Sequence, residues 1–127
     1  MSITLLDEWN NFHDWYLDSI TIGPNSEPRR VVLGLHRQEA RVTIDFSGVT
    51  CLVLDGLGLL NIVYAIEVIE PTDENHARVR AALEKGERLS DRSGGQRVFM
   101  YSTLGAELAI EFDALSIRSI GSEAAPG

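Results

Sequence analysis

The stretch from Asn10 to Ile20, NNFHDWYLDSI, concentrates more side-chain chemistry than any other part of the 127-residue chain. His13 and Asp14 are the residue types of a general base and of the carboxylate that orients it. Phe12, Trp15 and Tyr16 crowd rings around them. In an extended strand, neighbours point to opposite faces, so His13 and Asp14 do not serve each other and a dyad would draw its partner from another strand. The spacing therefore predicts architecture. At a helix-to-strand junction, His13 bonds backbone groups left unpaired at the helix end, and Asp14 does the same for the incoming turn. Trp9, Phe12, Trp15 and Tyr16 would then plug one end of a sheet. The alternative is a site where His13, Asp14 and Trp15 meet a ligand or partner, including a small-molecule-binding or hydrolytic pocket near His13 and Asp14.

The other candidates carry less chemistry. His36 falls at a turn and His76 on a surface helix, and no two histidines stand at a ligand spacing such as H-x-x-x-H, so no metal site is expected. Cys51 lies in an apolar strand, as an inert core thiol does. Asp14 and Asp18 share a strand face with Tyr16 between them, too far apart to share a proton. Asp55-Gly56-Leu57-Gly58 lacks the lysine and the length of a phosphate-binding loop. No catalytic residue is assigned and no cofactor is expected. Asn61 sits in an apolar run; if buried it must be hydrogen-bonded, to a bulge or to the Asp55–Gly58 loop.

The elements that must position these groups are mostly strands. Ile3 to Asn11 reads as a short amphipathic helix, with Thr4 as its cap and Asp7 and Glu8 in its first turn. Tyr16 to Ile22 becomes a strand that stops at Gly23-Pro24. Further strands follow at Arg30–Leu35, Arg41–Ser47 and Val49–Leu54. Leu59–Glu70 is assigned as strand on its β-branched content, with Ile62, Tyr64, Ile66 and Val68 on one face and Val63, Ala65 and Ile69 on the other. Thr72 or Asp73 caps one longer helix, whose stripe is Val79, Ala82 and Leu83 and whose C′ residue is Gly86. After a polar loop over 87–96, strands at Arg97–Ser102, Glu107–Phe112 and Leu115–Ile120 close the fold. The fold class is α+β: a mostly antiparallel sheet of about six or seven strands with a short N-terminal helix and one longer helix. It forms one domain over 1–127, ending in a frayed tail at 121–127.

Composition limits the partners. The net charge is -8 and the pI about 4.7, with Lys85 the only lysine. Nucleic acid and anionic membranes both require clustered cations, so neither is expected. A basic protein partner fits this charge, and a homodimer stays open. Arg41, Thr43 and Asp45 alternate with apolar residues, as do Glu107 and Glu111, which predicts a solvated, net-acidic sheet face holding Asp45, Glu107 and Glu111 as binding residues. No apolar run nears the roughly 20 residues of a membrane span. MSITLLDEWNN has no signal-peptide pattern and there is one cysteine, so a reducing, cytoplasmic setting is expected.

A tryptophan-bearing N-terminal helix (Trp9), then Phe12-His13-Asp14 leading into a strand, then Phe46-Ser47-Gly48-Val49 between two strands, resembles immunity proteins of bacterial polymorphic toxin systems and their uncharacterised relatives. The likeness covers the first half of the chain. It implies a toxin-neutralising binder without catalysis, and it carries no catalytic residue onto this sequence.

Overall fold

The computed structural model describes residues 5–70, 76–86 and 95–120. Leu5–Phe12 is helical, but of the tighter 3-10 kind, and it breaks before it can lengthen. Asn10, Asn11 and Phe12 take φ of 53°, 54° and 60°. Asparagine tolerates the left-handed region, so the helical turns give way at the paired asparagines, the last two residues of the helix expected over Ile3 to Asn11. The expected cap, Thr4, lies outside the described residues.

Eight strands follow: β1 (Tyr16–Ile22), β2 (Arg30–Arg37), β3 (Ala40–Ser47), β4 (Cys51–Asp55), β5 (Ile62–Val68), β6 (Gln96–Leu104), β7 (Glu107–Phe112) and β8 (Ala114–Ser119). One helix, α1 (His76–Glu84), stands between β5 and β6. All the strands join one antiparallel sheet in the order β4-β7-β6-β5-β1-β2-β3-β8. The count exceeds the expected six or seven because every extended segment finds a place in the ladder.

The two ends of that order are linked through their neighbours in the chain. β4 continues β3 through Gly48–Thr50, and β8 continues β7 through Asp113. The ladder survives the bend: Asp113 N–H donates to the Ser47 carbonyl at 3.0 Å and Thr50 N–H to the Glu111 carbonyl at 2.9 Å. β3 pairs with β8 on one side of the bend and β4 with β7 on the other. The sheet thus closes on itself as a barrel, with β4 and β8 each paired on one side only. Gly48 permits the corner, with φ of 66° and no room for a side chain against Asp113.

Side chains fill the interior. Leu33, Ile44, Phe46, Val63, Ile66, Ile110 and Phe112 belong to one core cluster and are fully buried, with the Phe46 and Phe112 rings edge-to-face at 4.9 Å. A second cluster lies on the outer face of β4, β7 and β6, where Cys51, Phe99, Ala109 and Ile69 meet Val79 and Leu83 of α1. The helix stripe is the expected one, and Cys51 is the buried thiol expected. Gly86 plays a different part from the left-handed cap anticipated for it. Its φ is not positive, and a Cβ there would lie 2.8 Å from both Cys51 Sγ and Val53 Cγ2. It is a glycine because the helix end approaches β4 closely. The expected caps Thr72 and Asp73, most of the 87–96 loop and the 121–127 tail lie outside the described residues.

β5 is a strand, and an interior one, between β6 and β1. Its faces differ from simple alternation because the register with β6 shifts on both sides of Val63. Val63 and Ile66 are consequently both buried, while Tyr64 points out. The strand starts at Ile62 rather than Leu59. No helix among the described residues is long and apolar enough to cross a membrane.

Candidate functional site

The Phe12–Trp15 segment acts as a plug with a handle. Phe12 is fully buried, stacked on Trp9 at 5.5 Å and edge-to-face with Trp15 at 5.2 Å. Trp15, expected as a binding residue, is 7% exposed and belongs to the core. Backbone bonds dock the turn on β5: Asp14 N–H donates to the Val63 carbonyl at 2.9 Å, and Val63 N–H to the Trp15 carbonyl at 2.8 Å.

His13 and Asp14 occupy a turn, not a strand, so the opposite-face expectation does not apply. They nonetheless form no dyad. The His13 Nδ1–H donates to the Tyr64 carbonyl at 2.9 Å, and Nε2 lies 3.6 Å from Asp14 Oδ2, beyond hydrogen-bond range. Both residues are exposed, and the His13 ring meets Tyr64 edge-on at 5.4 Å. The imidazole ties the turn to β5 rather than to the end of the helix.

The three acidic residues expected on one face are dispersed. Asp45, on β3, accepts from Arg30 of β2 through both carboxylate oxygens. That hydrogen bond, reinforced by the carboxylate charge, raises the Arg30 guanidinium further above its ordinary value. Glu107, on β7, faces Arg78 at 3.8 Å. Glu111 is completely buried: the Thr50 hydroxyl donates to its Oε1 at 2.7 Å, and Arg97 Nε lies 3.3 Å from Oε2. The alternation on β7 that suggested a wet side reflects a buried carboxylate held by charge and hydroxyl. No common acidic face exists on β3 and β7, which are not neighbours in the sheet.

Sequence reasoning missed a cross-strand cluster at the β1–β2–β3 hairpins. Asp18 Oδ1 lies 2.6 Å from His36 Nδ1, and Asp18 Oδ2 accepts from Arg41 at 2.7 Å. The His36 contact is close, but His36 Nδ1 makes no hydrogen bond there. Tyr16 stands opposite His36 in the register, with ring centroids 5.1 Å apart. Tyr16 and Asp18 on one face and a two-residue turn at Gln38-Glu39 were the available signals. A β-bulge between Leu17 and Ser19 sets Asp18 at this position. The cluster is a half-exposed charge network on the barrel's outer wall.

A cleft of about 590 Å³ opens between α1 and the outer wall, lined by Val53, Asp55, Arg78, Lys85, Phe99 and Glu107 among others. Neither His13 nor Asp14 borders it. Among the described residues no group of three or more His, Cys, Asp or Glu could hold a metal ion.

The most conspicuous exposure is apolar. Leu57, Leu59, Leu60 and Leu104 are all more than half exposed, and Leu59 is fully so. They lie on the β4–β5 loop and at the end of β6, and these loops are pinned together. Asn61, 7% exposed, accepts through Oδ1 from Gly58 N–H at 3.0 Å and from Ala106 N–H at 2.9 Å, and donates to the Gly58 carbonyl at 2.9 Å. The partner expected for Asn61, the Asp55–Gly58 loop, is the one it has. Gly105, at φ of 88°, leaves room for Asn61 Oδ1 and for the Leu60 carbonyl, which a Cβ would approach to 2.6 Å. Tyr16, Ile62 and Leu104 stand opposite one another across β1, β5 and β6, extending the apolar surface onto the wall. A loop that merely links strands has no need of three leucines in water. No family model, curated protein or solved structure matches the chain.

Proposed function

We propose that the protein is a non-catalytic protein-binding module and that the leucine-bearing end of its barrel is the binding surface. The observation that carries this reading is the set Leu57, Leu59, Leu60 and Leu104, exposed yet held by the Asn61 hydrogen bonds. Large apolar side chains exposed together on adjoining, fixed loops mark interaction sites on proteins. Burying it in a complex returns roughly 25 cal/mol per Å², and loops fixed in advance lose little entropy on docking. The toxin-neutralising role implied by the Phe12-His13-Asp14 and Phe46–Val49 likeness is one form of such a module.

The test is a variant carrying Leu59→Asp and Leu104→Asp. Both side chains are exposed, so the melting temperature should stay near that of the parent. The complex formed with a native-host protein, reconstituted from purified components, should be lost. A double variant that forms the same complex with the same affinity contradicts the proposal.

A further inference from the structure

We infer that the cleft between α1 and the outer wall binds a short apolar peptide with free ends, at a site separate from the leucine surface. The helix side of the cleft is Arg78, Ala81, Ala82 and Lys85. Their spacing of i, i+3, i+4 and i+7 places them on one stripe. Lys85 follows the last helical residue, but its N–H still bonds the Ala82 carbonyl at 3.2 Å, so the stripe continues through it. Cationic at its ends and small in the middle, the stripe leaves a space of about 590 Å³, within the range of small-ligand sites. The floor is a row of side chains in register across three strands: Phe99 of β6, Ala109 of β7 and Val53 of β4.

The charges sort to the two ends of this cleft. Asp55 and Glu107 stand directly opposite in the β4–β7 register, an unfavourable arrangement for like charges. Arg78 is at their end, 3.8 Å from Glu107, with its guanidinium over the Phe99 and Tyr101 rings. Lys85 is at the other end, next to Gly86, which abuts Cys51 and Val53 of β4. Among the described residues, neither the Asp55 carboxylate nor the Lys85 ammonium has an ion pair or hydrogen bond. Two carboxylates and two cations leave the lining without net charge, so a ligand of one sign loses at one end what it gains at the other. A ligand with an ammonium at one end and a carboxylate at the other satisfies both. Its ammonium relieves the Asp55–Glu107 opposition, its carboxylate meets Lys85, and its apolar middle covers the Phe99–Ala109–Val53 row. The helix sets the length. Arg78 and Lys85 are seven residues apart, or roughly 10 Å along the axis, which is the reach of about three extended residues.

An alanine-leucine-alanine tripeptide tests this in three forms: unblocked, acetylated at the amine, and amidated at the carboxylate. Each is titrated into the full chain by calorimetry. The unblocked form should bind, and either block should weaken it about tenfold or more. Asp55→Asn and Lys85→Gln alter exposed side chains, so their melting temperatures should stay near the parent's. Asp55→Asn should weaken the unblocked peptide as acetylation does, and acetylation should then cost nothing further. Lys85→Gln should stand in the same relation to amidation. The variant carrying Leu59→Asp and Leu104→Asp should bind the tripeptide as the parent does. The inference is overturned if the unblocked tripeptide does not bind, if a blocked form binds as tightly, or if the Asp55 and Lys85 variants respond to the blocks like the parent. Loss of tripeptide binding in the leucine variant would overturn it too, by placing the peptide on the other surface.

Discussion

Phe12→Ala should lower stability by about 3–5 kcal/mol, the usual range for deleting a fully buried ring. For a domain of this size that is a fall of roughly 10–20 °C in melting temperature. Phe12 has no solvent exposure and sits between Trp9 and Trp15, with centroid separations of 5.5 and 5.2 Å. Its backbone is left-handed, with φ of 60°, a conformation that a bulky residue keeps only where packing enforces it. Alanine retains the Cβ, so the substitution removes the packing without relieving the backbone. Thermal unfolding followed by tryptophan fluorescence checks this directly, because the two indoles flank the deleted ring. A variant that melts with the parent would show that the aromatic plug is not part of the cooperative core.

Asn61→Ala should cost about 1–3 kcal/mol and, more tellingly, weaken binding at the leucine surface. The Asn61 amide makes three hydrogen bonds across two loops. Gly58 is exposed and its groups can turn to water, but Ala106 is 1% exposed and its N–H is left without a partner. Gly105→Ala should reproduce the loss from the other side, since a methyl group there collides with Asn61 and with the Leu60 carbonyl. Denaturant unfolding and partner affinity, measured on the same samples, check both effects. If both variants lose stability while binding is untouched, the pinning of the loops is irrelevant to docking.

Much of this fold was legible because burial on one side of a sheet writes itself into period-two alternation. Val42, Ile44 and Phe46 point inward as their spacing demands, and β5 is a strand, as its β-branched content indicated. Closure was not legible. It depends on two corners, Gly48–Thr50 and Asp113, that look like ordinary turns between separate strands yet leave the ladder unbroken. Bulges hid the facing of β5 and the position of Asp18, because one extra residue inverts every parity argument beyond it. Glu111 shows the limit of polarity as a guide: a carboxylate in an alternating strand reads as wet, and only the third dimension supplies Arg97 and Thr50.

The candidate site was half legible. Asn61 stood out as a polar residue that needed a partner, and its loop was named. The leucines beside it were absorbed into the strand that follows, since apolar runs favour burial. The contrary signal was present in the composition of the run. Leu57, Leu59 and Leu60 are not β-branched, and they alternate with Gly56 and Gly58 before the isoleucine and valine of β5 begin. Such a stretch is a displayed loop.

Residue-resolved amide exchange of the full chain, free and bound to its native-host partner, tests the central claim most directly. Exchange reports local opening and its suppression on binding. The account predicts protection concentrated at Gly56–Ile62 and at the β6–β7 turn around Gly105, with little change along β2 and β3. Protection centred instead on the Asp18, His36 and Arg41 wall, with the leucine loops exchanging as in the free protein, would contradict it.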